Sequence, residues 1–168
     1  LAQANALSNV LFGEVWSVPV APDRVHPTPE GYVLMGERIG HQVSNGYAPL
    51  RCTGVSLSGA SFTATFTKPV VRDDSLGMAA DLEFWDGSGY VAIIDLAYSG
   101  STITGTLASA PAGGELRIAV QNIINDLTAN YADHVGCNVR SNTAGWVSPF
   151  DPAYTHYDWC IPQTVEES

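Results

Sequence analysis

Hydrophobic and polar residues follow two different periods along the chain, and the change comes near residue 48. Before that point, apolar residues at three- and four-residue steps predict an amphipathic helix that begins at Pro29. Thr28 is a suitable N-cap, Pro29 has the favoured first helical position, and Asn45-Gly46 ends the helix. The predicted buried face consists of Tyr32, Met35, Ile39 and Val43.

The residues before this helix complete a helix-strand-helix unit. LAQANALS is typical of the end of a helix, and VLFGEVWSVPV predicts a short strand, which Pro19 and Pro22 interrupt. Gly36 and Gly40 lie one turn apart on the following helix, so one helix face could approach a sheet closely. The unit is typical of the end of an α/β fold, and we predict residues 1–48 as a segment of such a domain.

After residue 48, apolar residues recur at every second position, as in half-buried strands. The clearest runs are SFTATFT at 61–67, TITGTLA at 102–108 and ELRIAV at 115–120. LEFWDGSGYVAIIDLAY at 82–98 predicts two strands around a turn at 86–89. Turn signals at intervals of roughly 8–15 residues are typical of a sandwich. The predicted fold is mainly β: an antiparallel β-sandwich over residues 49–168, preceded by the α/β segment.

The composition argues against several classes of partner. Seven basic and 17 acidic side chains give the 168 residues a net charge of −10. Because the sequence contains no Lys/Arg cluster, we expect neither nucleic acid nor an anionic membrane surface as a partner. No apolar run approaches the ~18 residues that a membrane span needs. A hydrophobic content of 45% indicates a packed domain rather than a disordered chain.

The candidate metal ligands do not form a known pattern. Cys52, Cys137 and Cys160 include no CxxC, and either one disulfide with a spare thiol or three buried thiols would fit. Asp126 and Asp133 could bind Ca²⁺ together with backbone oxygens, but their segment lacks the EF-hand pattern. We therefore predict no metal site and no cofactor.

The strongest candidate chemistry lies just before the second helix, in DRVHPTPEGYVLMGERIG at 23–40. Asp23 and His26 are three residues apart in a turn bounded by prolines. A carboxylate bound to one ring nitrogen fixes the histidine tautomer, orients the ring and stabilises the imidazolium that forms during catalysis. The other ring nitrogen is then available as a general base. We predict Asp23 and His26 as an acid-base pair of this kind.

The longer string D-x-x-H-P-T-x-x-G-Y-x-x-M-G resembles the last conserved block of the SGNH, or GDSL-like, serine hydrolases. The resemblance implies a flavodoxin-like α/β origin for residues 1–48, the acid role for Asp23 and the base role for His26. The family's G-D-S-like nucleophile block has no counterpart here, since Ser8 and Ser17 lie in the wrong context and DGSG at 86–89 is typical of a hairpin turn. We therefore expect the C-terminal part of a longer enzyme, inactive by itself.

Other segments are similar to a β-sandwich that follows SGNH domains in bacteriophage and prophage proteins. They are GYAPLRCTGVSLSGASFTATFTKPV, LASAPAGGELRIAV, and GCNVRSN followed by HYDWCIP. Together the resemblances imply an esterase or deacetylase that acts on acylated glycans, with an extracellular or virion-associated location favoured. An upstream hydrolase fragment or a partner chain is expected to cover residues 1–48, because a helix taken from an α/β sheet would otherwise expose an apolar face.

Aromatic residues near the C-terminal end form a second candidate site. Trp146, Tyr154, Tyr157 and Trp159 are interleaved with acidic residues, and flat rings beside carboxylates can stack on sugars. The alternative interpretation is that these rings pack against the sandwich, since aromatic side chains bury a large area. The alternative function is a non-catalytic structural or adhesive module of a virion or cell surface, because the sandwich fold serves many roles.

Overall fold

The computed structural model describes residues 26–46, 48–74, 82–118, 138–160 and 163–168. Within these ranges the protein is mainly β, with antiparallel sheets and one helix, as the sequence predicted. The helix, α1, spans Pro29–Ser44, and twelve strands follow it in the described ranges. They are β1 (Cys52–Ser58), β2 (Ser61–Phe66), β3 (Val70–Arg72), β4 (Leu82–Trp85), β5 (Tyr90–Val91), β6 (Ile93–Ser99), β7 (Thr102–Leu107), β8 (Glu115–Ile118), β9 (Val139–Ser141), β10 (Trp146–Val147), β11 (Thr155–His156) and β12 (Gln163–Glu166).

Two four-stranded antiparallel sheets enclose the core. The first has the strand order β1-β2-β7-β6, and the second has the order β12-β8-β4-β5. Buried residues of both sheets belong to one hydrophobic cluster, in which the rings of Phe62 and Phe84 lie 6.2 Å apart between centroids. Two short ribbons, β3-β9 and β10-β11, complete the described part of the fold. The sheets therefore pack as a sandwich.

The period-two patterns place the strands and their buried faces correctly. In β2, Phe62, Ala64 and Phe66 are buried, and in β7 the buried positions are Ile103, Gly105 and Leu107. The threonines between them face outward or are half-buried. Alternation of apolar and polar residues thus identified the inward face of each strand.

The segment 82–98 differs from its prediction in one respect. The turn is confirmed: Asp86 Oδ1 accepts hydrogen bonds from the amides of Ser88 and Gly89 at 2.8 Å each, and β5 pairs with β4. The predicted second strand, however, is divided. β5 belongs to the second sheet, whereas β6, which begins after Ala92, belongs to the first. The chain therefore crosses between the two sheets at this point.

The helix begins and ends as predicted. Thr28 Oγ1 accepts a hydrogen bond from the Gly31 amide at 3.1 Å, and Pro29 is the first helical residue. At the other end, Asn45 Nδ2 donates to the carbonyl of His41 at 2.8 Å, and Gly46 adopts a φ of 74°. Its 16 residues are too few, and too polar, for a membrane-spanning helix.

The predicted buried face of α1 is wrong. The buried residues are Gly31, Leu34, Arg38 and Gln42. Three of the predicted residues are instead exposed: Tyr32 at 55%, Ile39 at 43% and Val43 at 54%. The buried side of the helix thus includes the polar side chains of Arg38 and Gln42, which a search for hydrophobic periodicity does not register.

Several predictions lie wholly or partly outside the described residues. The first helix, the strand at 10–20, Asp126 and Asp133 lie outside these ranges, and the boundary at residue 48 stays a prediction. Cys137 is also outside these ranges. Cys52 and Cys160 are buried thiols, so they are not joined by a disulfide, and burial raises the pKa of the Cys52 thiol.

Candidate functional site

His26 lies immediately before the cap of α1. It is exposed, and it precedes Thr28 by two residues. Asp23 lies outside the described residues, so the predicted pairing of Asp23 with His26 stays a prediction. The described residues thus place the predicted base on the surface, at the N-terminal end of a capped helix.

Glu37, on the third turn of α1, binds a hairpin that is distant in sequence. Its Oε2 accepts a hydrogen bond from Ser148 Oγ at 2.7 Å and lies 3.0 Å from His156 Nε2. Its Oε1 accepts a hydrogen bond from the Phe150 amide at 3.0 Å. We call these four residues the Glu37 clamp: Glu37, Ser148, Phe150 and His156. The clamp joins α1 to the hairpin formed by β10 and β11.

Local geometry prepares the hairpin for this contact. Trp146 pairs with His156 across β10 and β11. Ser148 Oγ accepts hydrogen bonds from the amides of Phe150 at 3.1 Å and Asp151 at 2.9 Å. The same hydroxyl donates a hydrogen bond to Glu37, so Ser148 holds the loop closed and also joins it to α1.

Aromatic rings from the helix and the hairpin stack beside the clamp. The His41 and Trp146 rings are 4.5 Å apart between centroids, and Trp146 and His156 are 3.9 Å apart, both nearly parallel. Tyr154 meets His156 edge-on at 4.9 Å. Stacked rings of this kind add to the stability that their buried area provides. The stack therefore holds α1 and the hairpin together alongside the hydrogen bonds.

These contacts account for the positions of the four predicted glycan-binding aromatics. Trp146 and Tyr154 take part in the stack, and both are half-buried. The ring of Tyr157 lies 4.2 Å from the guanidinium carbon of Arg140, and Trp159 is 3% exposed. All four make packing contacts within the chain, as the alternative interpretation proposed. Sugar binding by this set stays a prediction.

The charge states within the clamp follow from its environment. Burial opposes ionisation of Glu37, but hydrogen bonds from Ser148, His156 and the Phe150 amide outweigh it and hold the pKa of Glu37 below its ordinary value. Burial lowers the pKa of His156, although its hydrogen bond to Glu37 opposes that shift. A neutral His156 donates through Nε2 to the carboxylate, and its Nδ1 is buried without a hydrogen-bond partner.

The clamp contains the residue types of a serine-hydrolase triad but not its connectivity. In a triad the serine donates to the histidine, which in turn donates to the carboxylate. Here Ser148 and His156 both bind Oε2 of Glu37. Ser148 is 2% exposed and His156 is 0% exposed, so an ester could not reach either group. The clamp is therefore a structural contact and does not supply the missing nucleophile.

No sequence signal could have identified the clamp. Glu37 is separated from Ser148 by 111 residues and from His156 by 119 residues. Neither separation matches a helical or strand period. His156 begins the HYDWCIP segment and Glu37 directly follows the D-x-x-H block, but neither segment indicates that the two side chains meet. The cluster exists only because the fold brings α1 to the hairpin.

An acidic groove of about 440 Å³ lies at one end of the second sheet, and none of the clamp residues lines it. It is lined by Trp85, Asp86, Gly87, Gly114, Glu115, Glu166 and Glu167. Arg117 pairs with Glu115 at 2.5 Å, and its guanidinium carbon lies 4.8 Å from the Trp85 ring centroid. Among the described residues, no group of three or more His, Cys, Asp or Glu is placed to hold a metal ion.

Comparisons with known proteins give structural similarities at low identity. No family model matches the sequence, and no curated protein matches it. The N-terminal part of the bacterial S-layer protein SbsC is 16% identical over 86% of this chain and 29% of that chain, with a TM-score of 0.41. XAC1771, a carbohydrate acetylesterase from Xanthomonas citri, is 12% identical over 83% of this chain and 28% of that chain, with a TM-score of 0.48. The chain thus spans less than a third of either protein.

Proposed function

We propose that this chain supplies the acid-base half of an SGNH-type serine esterase or deacetylase that acts on acylated glycans. The observation that carries the proposal is the D-x-x-H-P-T block set directly before a capped helix, with His26 exposed at its start. In this mechanism Asp23 holds the imidazole of His26. The serine nucleophile and the oxyanion hole come from polypeptide outside these 168 residues.

The proposed proton transfers follow the general scheme of acyl-enzyme hydrolysis. His26 accepts the serine proton as the serine oxygen attacks the acyl carbonyl, and it passes this proton to the departing sugar oxygen. It then accepts a proton from the water that attacks the acyl-enzyme and returns it to the serine. Asp23 stays ionised throughout and stabilises the imidazolium.

The proposal includes a partner for the outward face of α1. We call this face the outer stripe: Tyr32, Val33, Ile39 and Val43, which are 40–55% exposed. A Cβ built at Gly36 or Gly40, on the same side of the helix, would meet no atom within 4 Å. Contiguous exposed apolar surface of this kind commonly marks an interaction site. We expect an upstream hydrolase fragment, or a partner chain that carries the nucleophile, to cover it.

The isolated chain is expected to have no esterase activity, because a general base without a nucleophile cannot form an acyl-enzyme. The measurement is turnover of p-nitrophenyl acetate by the wild-type chain and by His26→Ala. Equal slow rates for the two represent background cleavage by surface histidines. In the natural gene product, His26→Ala is expected to lower kcat by about 10³-fold or more. Turnover by the isolated chain that depends on His26 would contradict the proposed division of roles.

The outer stripe is expected to bind the polypeptide that carries the nucleophile. Intact mass measurement of the purified natural product should reveal either one continuous chain or a co-purifying upstream fragment with a G-D-S-like block. With a separate fragment, Ile39→Glu is expected to weaken its binding at least about 10-fold, or 1.4 kcal/mol. Val147→Glu is the matched control, since Val147 is 57% exposed on β10. A natural product without such a block would contradict the hydrolase assignment.

The second candidate function is a structural or adhesive module without catalysis. The outer stripe favours it as well, because an apolar face could contact another structural chain. The two functions differ in one observable. A hydrolase needs Asp23 within hydrogen-bond distance of His26, where the carboxylate fixes the tautomer of the ring. The ¹⁵N chemical shifts of the His26 ring, compared between the wild type and Asp23→Asn, would detect this contact. Ring shifts that this substitution leaves unchanged favour the structural module.

A further inference from the structure

Glu37 connects the helix that follows His26 to the hairpin formed by β10 and β11. It is eleven residues from His26 in sequence, whereas its hydrogen-bond partners are more than a hundred residues away. Its carboxylate accepts hydrogen bonds from Ser148, His156 and the Phe150 amide. One side chain on α1 therefore binds both ends of the hairpin loop.

We propose that Glu37 is a positioning residue that sets the location of His26 by holding α1 against the hairpin. This inference rests on the proposed function, in which His26 is the general base. It gives the β10-β11 hairpin a role in catalysis, because the hairpin would hold the helix that positions the base. Glu37 itself does not contact the reacting atoms.

The helix transmits position from the clamp to the catalytic turn. From Thr28 to Glu37 the helix rises about 14 Å at 1.5 Å per residue. A tilt of roughly 5° about the clamp would therefore move the start of the helix by about 1 Å. A displacement of this size can lower a rate by about 10²-fold, because proton transfer requires close alignment of donor and acceptor. The Thr28 cap and Pro29 make the first turn firm enough to carry this motion to His26.

Glu37 is suited to this role by chemistry that no neighbouring residue of α1 shares. A carboxylate can accept all three hydrogen bonds at once, since it has two acceptor oxygens and no donor. In Glu37→Gln the side-chain NH₂ would face one of the three donors, so one bond would be lost and the others kept. In Glu37→Ala all three donors would lose their acceptor, two of them in residues that are at most 2% exposed. The two variants therefore form a graded series.

The first test measures the attachment of α1 and does not depend on catalysis. Hydrogen exchange of the amides at 32–44 is followed by mass spectrometry in the complete chain. Glu37→Ala is expected to raise exchange at least about 10-fold, and Glu37→Gln should give an intermediate rise. Glu30→Ala is the matched control, since it removes the same charge from an exposed position of the same helix. Exchange in both Glu37 variants equal to that of Glu30→Ala would overturn the proposal.

The second test measures positioning in the natural gene product. After active-site titration corrects for the folded fraction, Glu37→Ala is expected to lower kcat for an acylated sugar by about 10- to 100-fold with KM little changed. Glu37→Gln should restore part of kcat, and Glu30→Ala should match the wild type. If Glu37→Ala does not fold, Glu37→Gln and Ser148→Ala are compared instead.

Two outcomes separate this inference from the function on which it rests. A normal kcat in Glu37 variants whose helix exchanges rapidly, together with loss of activity in His26→Ala, overturns positioning by Glu37 and leaves His26 as the base. Full activity in His26→Ala overturns the proposed function, and with it the positioning role. In that case a rise in helix exchange still supports the clamp as the attachment of α1.

Discussion

Gly105→Ala is expected to destabilise the protein by about 2 kcal/mol, although it adds only one methyl group. A Cβ at Gly105 would lie 2.2 Å from Cε1 and 2.4 Å from Cζ of Phe62, which is directly opposite on the neighbouring strand. The Phe62 ring is 1% exposed and packs against Phe84 of the other sheet. Because the ring is buried on all sides, it can avoid the added methyl group only by changing its rotamer or by pushing the two sheets apart.

Chemical denaturation of Gly105→Ala and Gly54→Ala would test this expectation. Gly54 lies in β1 of the same sheet, and a Cβ there would meet no atom within 4 Å. We expect Gly54→Ala to be neutral or to stabilise by up to about 1 kcal/mol, because alanine loses less conformational freedom on folding. A Gly105→Ala variant within about 0.5 kcal/mol of the wild type would show that the ring relocates easily.

The sequence predicted those features of the fold that depend on neighbouring residues. Alternation along SFTATFT and TITGTLA identified the buried faces of β2 and β7, because strand geometry places every second side chain on the same face. The Asp86 turn was also predictable, since aspartate commonly accepts hydrogen bonds from amides two and three residues ahead. Alternation shows which residues face the core, but it does not show to which of the two sheets a strand belongs. The crossing at Ala92 was therefore not predicted.

The prediction for α1 was limited in the same way: the ends of the helix were correct, and its buried face was wrong. Thr28, Pro29 and Asn45-Gly46 fixed its ends, because capping is a local property. Its orientation was predicted wrongly because the helix has two faces that can be buried. One carries the buried side chains of Leu34 and Arg38, and the other is the outer stripe. Which face lies against the hairpin depends on Glu37 and its partners there, and these contacts have no signature in local sequence.

The candidate site also has one part that neighbouring residues indicate and one part that they do not. His26 was predicted as the base from a block of neighbouring residues. The described structure shows it exposed, two residues before the helix cap, and its catalytic role stays a prediction. Its predicted partner Asp23 lies outside the described residues. The Glu37 clamp could not be predicted, since it depends on the packing of α1 against a hairpin formed much later in the chain.

Glu37 and His156 are expected to be coupled by about 2 kcal/mol at neutral pH, the size of a hydrogen bond to a charged group. A double-mutant cycle would use Glu37→Leu, His156→Phe and the double variant. His156→Phe keeps an aromatic ring beside Trp146 but removes the Nε2 donor. Glu37→Leu alone is expected to cost about 3 kcal/mol, because it leaves a buried donor without its charged partner. A double variant whose loss equals the sum of the single losses would contradict direct coupling.

The same pair is expected to make stability depend on pH in a defined direction. Burial lowers the pKa of His156 below its ordinary value of 6.5, so just below that pH the unfolded chain binds a proton that the folded chain does not. Stability therefore falls as the pH drops below about 6.5 and until the folded histidine is protonated. Glu37, with its pKa held below 4.5, adds a second loss at lower pH, when the unfolded carboxylate is protonated before the folded one.

Denaturation midpoints measured between pH 7.5 and 5 would isolate the contribution of His156. His156→Phe should show a smaller loss of stability over this range than the wild type, because the titrating group is gone. His41→Phe is the control: it removes a histidine from the same stack and keeps a ring beside Trp146. An equal loss in the wild type and His156→Phe would mean that another group governs the acid sensitivity. A smaller loss in His156→Phe alone would identify the buried imidazole as the group that weakens the attachment of α1 in acid.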